Sequence, residues 1–196
     1  FRKKIYPLYK ANREGRPVPK HLNACRLFVV DKWQAEVVDG YEADDALGIG
    51  QIETSTICSI DKDLLQVPGK HWNFVKREGQ YITHERGLRE FYTQLLVGDP
   101  GDNVKGCPGI GKAKAPRILE GCETEDEMFE ACRDAYADDA AMSLNGQLLY
   151  IWRKPNDRWE FEKIASRIKQ EPEVPSESTQ QTEGENTPFM VLGGTT

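Results

Sequence analysis

The sequence has little histidine and no long apolar run. Three histidines, and five cysteines that form no C-x-x-C pair, argue against a zinc site. Apolar runs such as Leu27–Val30 stop well short of the roughly 18 residues that a membrane span needs. The basic start, Phe1–Lys4, is not followed by the apolar core of a signal peptide. We therefore expect no membrane partner and interpret the cysteines as free thiols of a reduced cytoplasm.

Charged residues of both signs are present, but they are segregated along the chain. The 196 residues include 26 Lys plus Arg and 32 Asp plus Glu, with 38% hydrophobic residues, which is typical of a globular protein. Residues 1–20 hold seven basic groups against Glu14 alone, whereas residues 31–63 hold nine acids against two lysines. Residues 103–119 hold four basic groups and no acid. The two basic segments are suited to a polyanionic partner despite the net charge of -6.

The C-terminal segment has a different composition. Residues 170–196 contain five Glu and no Lys or Arg, and they are rich in Pro, Ser, Thr and Gln. This composition predicts a disordered acidic tail. The tail ends in a short apolar patch, Phe189–Leu192, which is either a peptide that binds a protein partner or a fortuitous terminus.

Hydrophobic periodicity predicts an α/β chain whose second half is helical. The ranges with helical spacing are 19–33, 44–51, 88–97, 112–119, 124–137 and 140–152. The predicted strands are 34–38 and 54–60, the second of which suits a buried parallel position, and a hairpin is centred on residues 77–80. Thr124 and Glu127 have the spacing of a capping box.

Acidic residues follow the predicted strands and loops in three groups. These groups are Glu42, Asp44 and Asp45; Asp61 and Asp63; and Asp99 and Asp102. A carboxylate pair about 4 Å apart costs about 4 kcal/mol at an effective dielectric of about 20, a repulsion that a hard divalent cation relieves. Oxygen ligands favour Mg²⁺ or Mn²⁺ over zinc. The alternative, that the acids only complement helix N-termini, explains any one group but not all three.

A glycine-rich segment at residues 106–113 matches the P-loop pattern G-x-x-x-x-G-K. However, Ala113 replaces the Ser or Thr whose hydroxyl would hold Mg²⁺, and a polar loop precedes the segment where a strand is required. The same glycines, followed by Lys112 and Lys114, suit a hairpin between helices. Its backbone N–H groups and ammonium groups would bind a phosphodiester backbone.

Five motifs, in order and spacing, resemble the 5′-to-3′ exonuclease and flap endonuclease family in its bacteriophage and polymerase-associated bacterial forms. They are Tyr9–Arg13, Tyr41–Asp45, Ser59–Asp63, Gly98–Asn103 and Gly106–Lys112. The resemblance implies a PIN-like (resolvase-like) α/β nuclease domain with a mostly parallel sheet at residues 1–97. It also implies a helix-three-turn-helix (helix-hairpin-helix) DNA-binding module at residues 98–169. The implied function is cleavage of DNA with 5′ ends, flaps or branches during replication or repair, in a bacterial cytoplasm or a phage-infected cell.

The resemblance also implies roles for individual residues. Two Mg²⁺ ions are implied, with Mn²⁺ as a substitute and a K⁺ ion at the hairpin as a further cation. The first ion would be held by Glu42, Asp44, Asp45 and Asp61, and the second by Asp63, Asp99 and Asp102. Lys10 and Arg13 are implied as catalytic groups beside the scissile phosphate. The implied DNA contacts are Tyr9, by stacking on a base, and Lys105, Gly109, Gly111, Lys112 and Lys114.

Two departures from the family pattern leave alternatives open. Family members begin with a strand that carries a metal-binding Asp, and they present another Asp shortly before the segment that matches Tyr9–Arg13. We find neither here and expect an N-terminally incomplete nuclease domain with slow turnover. Residues 45–54 are also short for the helical arch of larger members. The alternatives are a non-catalytic or truncated DNA-binding relative and a PIN-type ribonuclease.

Overall fold

A computed structural model describes residues 1–170, so the segment 171–196, which holds the predicted disordered tail and its apolar patch Phe189–Leu192, lies outside the described residues. The α-helices are α1 (Arg2–Ile5), α2 (Leu22–Trp33), α3 (Ala43–Gly50), α4 (His84–Val97), α5 (Ala115–Ile118), α6 (Glu125–Tyr136), α7 (Asp139–Leu149) and α8 (Phe161–Gln170). The strands are β1 (Thr56–Cys58), β2 (Gly69–Asn73), β3 (Glu78–Ile82), β4 (Gly98–Asp99) and β5 (Val104–Lys105), and short 3-10 helices cover Ala11–Arg13 and Lys62–Gln66. None of the helices in residues 1–170 has both the length and the apolarity that crossing a membrane requires.

The larger sheet has the order β1-β2-β3 and is mixed rather than mostly parallel within the described residues. β1 pairs with β2 in parallel, with Ile57 opposite His71, and β2 pairs with β3 in antiparallel register. The predicted hairpin is present, but its turn lies earlier than expected because Gly79 and Gln80 already belong to β3. Arg77 supplies the left-handed backbone of that turn, with φ 58°.

The helical core is built around α4. Its buried face, Phe91, Tyr92, Leu95 and Leu96, belongs to one apolar cluster that includes side chains of α6, α7 and α8. Gly146 lets α7 approach Trp159 so closely that a Cβ atom there would lie 2.1 Å from the indole ring. The core therefore extends on both sides of the predicted domain boundary at residues 97 and 98.

Helix termini follow local sequence signals. The capping box of α6 is formed as predicted, since the Thr124 hydroxyl accepts from the Glu127 N–H and the Glu127 carboxylate accepts from the Thr124 N–H. The helix predicted at 112–119 is confined to Ala115–Ile118. Pro116 lies in its first turn, where the missing N–H is tolerated.

The N-terminal third departs most from the sequence predictions. Helix α2 is present, but none of its residues is buried, and Leu27 and Trp33 are 71% and 75% exposed. The strand predicted at 34–38 is wrong. Gln34 adopts a left-handed conformation that ends α2, and no neighbouring strand of the described chain pairs with this segment. A β-strand requires such a partner for its backbone groups.

Candidate active site

Acidic residues from distant parts of the sequence line one small cavity of about 30 Å³ between the N-terminal segment, α3 and the end of α4. Five of the seven predicted metal ligands lie in its wall: Glu42, Asp44, Asp63, Asp99 and Asp102. Asp61 lies close enough for its charge to raise the pKa values of Asp44 and Asp63. Asp45 lies in the protein interior. The structure thus assembles the acidic groups that the sequence pattern singled out.

Local backbone geometry places each acid. Glu42 is the N-cap of α3, where its backbone N–H donates to the Asp45 carboxylate at 3.1 Å, and this places Asp44 in the first helical turn. Asp61 caps the 3-10 helix by accepting from the Asp63 N–H at 3.0 Å. Asp99 lies on β4 and Asp102 in the turn that leads to β5. All of these acids stand at the ends of elements, where the helix dipole favours negative charge or the chain turns sharply.

Asp45 is a buried ion-pair partner. Its two oxygens accept from Arg2 Nη1 at 2.5 Å and Arg2 Nη2 at 2.9 Å, and they also accept from the backbone N–H groups of Trp152 and Glu42. Burial alone would raise its pKa, but the hydrogen bond and positive charge of Arg2 hold the pKa of Asp45 below its usual value. This geometry gives Asp45 a structural role instead of the metal-ligand role that the resemblance implied.

The two positively charged residues that were predicted to be catalytic, Lys10 and Arg13, contact the acidic residues. Lys10 Nζ contacts the carboxylate of Glu42 and lies 3.4 Å from Asp102, while Arg13 pairs with the other oxygen of Asp102. The Lys10 backbone is left-handed, with φ 59°, and its N–H donates to the Asp102 carbonyl at 2.9 Å. A left-handed lysine backbone is uncommon, and this hydrogen bond helps to hold it in that conformation, from which the Lys10 side chain reaches Glu42 and Asp102.

Tyr9 is not available to stack on a base, so that prediction is wrong. Its ring is 3% exposed and belongs to the apolar core. Its hydroxyl lies 2.8 Å from both Glu42 and Asp102. Burial and these two carboxylates raise the Tyr9 pKa above its usual value, so the hydroxyl remains a proton donor between them.

The acids divide into two classes by their counter-charges. Glu42, Asp45 and Asp102 pair with Arg2, Lys10 or Arg13. In residues 1–170, no such pair is formed by the other four acids, which are Asp44, Asp61, Asp63 and Asp99. Asp44, Asp63 and Asp99 are partly buried and Asp61 is exposed, and such unneutralised carboxylates are the donor chemistry that a hard divalent cation fits. Across the described chain, however, no three His, Cys, Asp or Glu side chains meet closely enough to form a finished metal-binding group.

The glycine-lysine hairpin lies beside this acidic cavity. Gly109 and Gly111 are exposed in the loop between β5 and α5, and Lys114 Nζ donates to the Gly109 carbonyl at 3.0 Å. A neighbouring cavity of about 410 Å³ is lined by Lys112 together with Asp63 and Asp99. Lys112 is therefore brought to the acids, whereas Lys105 and Lys114 lie outside both cavity walls.

No family model matches the chain, but comparisons with known proteins find relatives and a similar fold. The flap endonuclease Xni of Aeromonas salmonicida is 32% identical over 169 residues, which cover 74% of this chain and 61% of that protein. A T5 5′-exonuclease structure with bound divalent metal ions (zinc) superposes with a TM-score of 0.60 at 18% identity, covering 86% of this chain and 78% of that one. The chain belongs to the 5′-3′ exonuclease and flap endonuclease family.

The family assignment confirms the resemblance found in the sequence, and the structural likeness confirms the α/β fold class. The chain spans only part of its relatives. It covers 16% of the DNA polymerase I of Borreliella burgdorferi, to which it is 30% identical over 149 residues. It covers about three fifths of the flap endonuclease Xni.

Sequence reasoning missed three residues of this family member's site. Arg2 forms the ion pair with Asp45, Gln94 lines both cavities beside Asp63, and Lys62 lines the larger one. Gln94 also bonds Gln66 at 2.8 Å. Arg2 and Gln94 lie outside the five motifs. Lys62 lies inside one of them, but the motif assigned it no role. Only Lys62 therefore carried a usable signal, its position between two acids.

Asp63 provides a pH-dependent test of the acidic cavity. Burial, followed by the charges of Asp61 and Asp99, raises its pKa from the usual 3.8 to about 6. The folded state therefore holds this proton more tightly than the unfolded state, so ionisation of Asp63 destabilises the fold increasingly as pH rises from about 4 to about 6. Without divalent cations, Asp63→Asn is expected to have a higher melting temperature than the parent chain at pH values above this range. At pH values below the range, the two melting temperatures should differ little.

Thermal melting at a series of pH values in a chelating buffer checks this expectation. Asp134→Asn, on the exposed side of α6 and without an ion pair among the described residues, serves as the matched control. Curves for Asp63→Asn and the parent chain that stay parallel from about pH 4 to about pH 8 would contradict it.

Proposed function

We propose that this chain is the nuclease part of a 5′-to-3′ exonuclease or structure-specific 5′-flap endonuclease that hydrolyses DNA phosphodiester bonds. The observation that carries the proposal is that Lys10 and Lys112 lie next to the acidic residues of the two neighbouring cavities. Hydrolysis of a phosphodiester needs cationic groups that bind the phosphate and a metal cation that activates water. The two lysines supply the cationic groups, and the carboxylates are donors for the metal cation. The names of the relatives support the same class.

Two divalent ions, Mg²⁺ in the first instance, fit the donor chemistry of the cavity. Glu42, Asp44 and Asp61 would hold the first ion, and Asp63, Asp99 and Asp102 the second. When bound, such ions lower the pKa of a coordinated water and neutralise phosphate charge. The metal ions in the T5 5′-exonuclease structure support a divalent metal requirement. Mn²⁺ in place of Mg²⁺, and K⁺ at the hairpin, stay predictions.

The protein's own side chains orient the substrate and the carboxylates. Lys10 can exchange its contact with Glu42 for a non-bridging phosphate oxygen, because its Nζ already lies at the cavity and is only partly buried. Arg13, which is more exposed, would bind the adjacent phosphate. The Tyr9 hydroxyl holds Glu42 and Asp102 at a fixed separation and keeps its proton.

Residues 98–169 would serve as the DNA-binding module of the proposed enzyme. The exposed Gly109 and Gly111 leave backbone N–H groups accessible to a phosphate, and Lys105, Lys112 and Lys114 add positive charge on the same segment. Such contacts carry no base information, so the substrate would be selected by a 5′ end, flap or branch. Replication or repair of DNA is the corresponding cellular role.

Cleavage of a labelled 5′-flap DNA with and without Mg²⁺ tests the proposal. Mg²⁺-dependent release of short 5′ products is expected, and an equimolar RNA strand should compete weakly. DNA binding without cleavage at saturating Mg²⁺ would favour a non-catalytic relative. Preferential cleavage of the RNA would favour a PIN-type ribonuclease.

The hairpin has its own salt-dependent test. Lys112→Ala combined with Lys114→Ala is expected to weaken binding to all DNA sequences alike, because each lysine would contact the backbone. The slope of log affinity against log salt should flatten by about two units at most, since each phosphate contact contributes about 0.9. Fluorescence anisotropy with two unrelated flap sequences measures both quantities, and a loss confined to one sequence would indicate base reading instead.

A further inference from the structure

A second cavity lies in the helical part of the chain, away from the acidic residues of the candidate active site. It has a volume of about 320 Å³ and is enclosed by the beginnings of α4, α6 and α8 and by the segment 150–160. Its wall contains six basic side chains: His84, Arg153, Lys154, Arg158, Lys163 and Arg167. His84 and Val97 are the first and last residues of the 14-residue helix α4, so the cavity lies about 20 Å along that helix from Asp99.

The positive charge of this cavity is only partly neutralised from within. Arg167 pairs with Glu125 and Asp126, and Lys154 lies 4.0 Å from Asp157. Within residues 1–170, no ion pair is formed by His84 or by the three remaining Arg and Lys side chains, Arg153, Arg158 and Lys163. The wall holds only one further acid, Glu160. The cavity therefore keeps an excess of positive charge.

Arg153 is held in place and still has a donor to offer. Its Nη2 donates to the Gln66 carbonyl at 2.8 Å, and its guanidinium lies 5.2 Å from the centre of the Tyr150 ring. Its Nε is buried and has no hydrogen-bond partner in the described part of the chain. Buried polar groups normally have partners, so an acceptor supplied by a ligand would complete this one. A fixed guanidinium with a free N–H suits an anionic oxygen.

We propose that this cavity binds a phosphate group through Arg153, Arg158 and Lys163. Its volume is within the range of small-ligand sites, so it accepts a ligand of mononucleotide size. The same chemistry is offered by a phosphate of the DNA backbone, which would add a contact about 20 Å along α4 from the acids. Binding of the DNA backbone rests on the proposed function, whereas binding of a free nucleotide does not.

The test uses the whole chain and removes two exposed cations: Lys163, and Arg158, whose guanidinium lies 5.3 Å from the centre of the Phe1 ring. Calorimetry with inorganic phosphate and with deoxyadenosine 5′-monophosphate should show binding that the double variant Arg158→Ala/Lys163→Ala weakens at least tenfold. Glu160→Gln, which removes the unpaired acid of the wall, should strengthen the same binding. Lys70→Ala/Lys76→Ala, which removes two exposed lysines that lie outside the walls of all three cavities described, should leave it unchanged and serves as the matched control.

A DNA arm distinguishes the two sources. If the ligand is the backbone, the double cavity variant should lower the salt slope of flap-DNA binding by up to about two units. Nucleotide binding that is lost in the variant while DNA binding is retained identifies a free nucleotide. The proposal is overturned if nucleotide, phosphate and DNA affinities are all unchanged in the variant. A chain that fails to cleave DNA but shows cavity-dependent nucleotide binding would contradict the proposed function alone.

Discussion

Replacing Asp61 by Asn is expected to lower Mg²⁺-dependent cleavage of a 5′-flap substrate by about a hundredfold or more, which is the usual cost of removing one element of a catalytic electrostatic site. Asp61 belongs to the class of acids without a counter-charge, and its charge is felt by Asp44 and Asp63. Asn keeps the size of the side chain and one carbonyl oxygen. The cap on the Asp63 N–H, 3.0 Å long, can therefore survive the change.

Binding of the same DNA should be retained or rise slightly, because one negative charge that repels the phosphates is gone. Single-turnover cleavage and anisotropy on one substrate measure both effects. Glu120→Gln, an exposed acid whose charge, unlike that of Asp61, does not act on the pKa of Asp44 or Asp63, is the control for loss of one charge. An equal loss of binding and cleavage, or unchanged cleavage, would remove Asp61 from the proposed metal site.

The acidic cavity was largely predictable because its signals are local. Glu42, Asp44 and Asp45 stand at a helix start, and Asp61 and Asp63 follow a strand, so the elements themselves direct these groups to one edge. What the sequence did not show is how the charges divide. The partner of Asp45 is Arg2, 43 positions away, whereas the adjacent Asp44 forms no ion pair within residues 1–170 although it is of the same residue type.

Other features depended on long-range packing and were misread for that reason. The periodicity of residues 19–33 predicted helix α2 correctly, but an apolar stripe does not specify what covers it, and α2 has no buried residue. Tyr9 is an aromatic residue of a kind that stacks on bases, yet its ring is buried in the apolar cluster that includes α4. Helix α8 was missed although Phe161, Ile164, Ala165 and Ile168 have helical spacing.

Replacing Arg2 by Met is expected to destabilise the chain by about 3 to 5 kcal/mol, the usual cost of leaving one partner of a buried ion pair alone. Asp45 is fully buried, and Arg2 is its only cationic partner in the described chain. The same guanidinium donates to the carbonyls of Leu148 and Tyr150 at 2.8 and 2.7 Å, so these acceptors lose their donor as well. Urea unfolding near neutral pH measures the change.

Lys3→Met is the matched control, because Lys3 is exposed and lies 3.9 Å from an equally exposed Glu14, a contact worth about 1 kcal/mol or less. The double variant Arg2→Met/Asp45→Asn should be more stable than Arg2→Met alone, since the amide introduced by the second change carries no buried charge and its oxygen can still accept from one of the two backbone N–H groups, of Trp152 and Glu42, that bond the two oxygens of Asp45. A double variant less stable than Arg2→Met, or an Arg2→Met cost below about 1 kcal/mol, would contradict the buried pair.

The pH dependence of the Arg2→Met defect separates charge from packing. In the parent chain the pKa of Asp45 lies below its usual value, so the pair stabilises the fold above that value and the contribution is lost as pH falls through the lowered pKa. Without Arg2, burial dominates and the pKa of Asp45 should rise, which makes the variant least stable where the carboxylate must ionise. The difference between the parent chain and Arg2→Met should therefore narrow on acidification, whereas a packing defect would stay constant with pH.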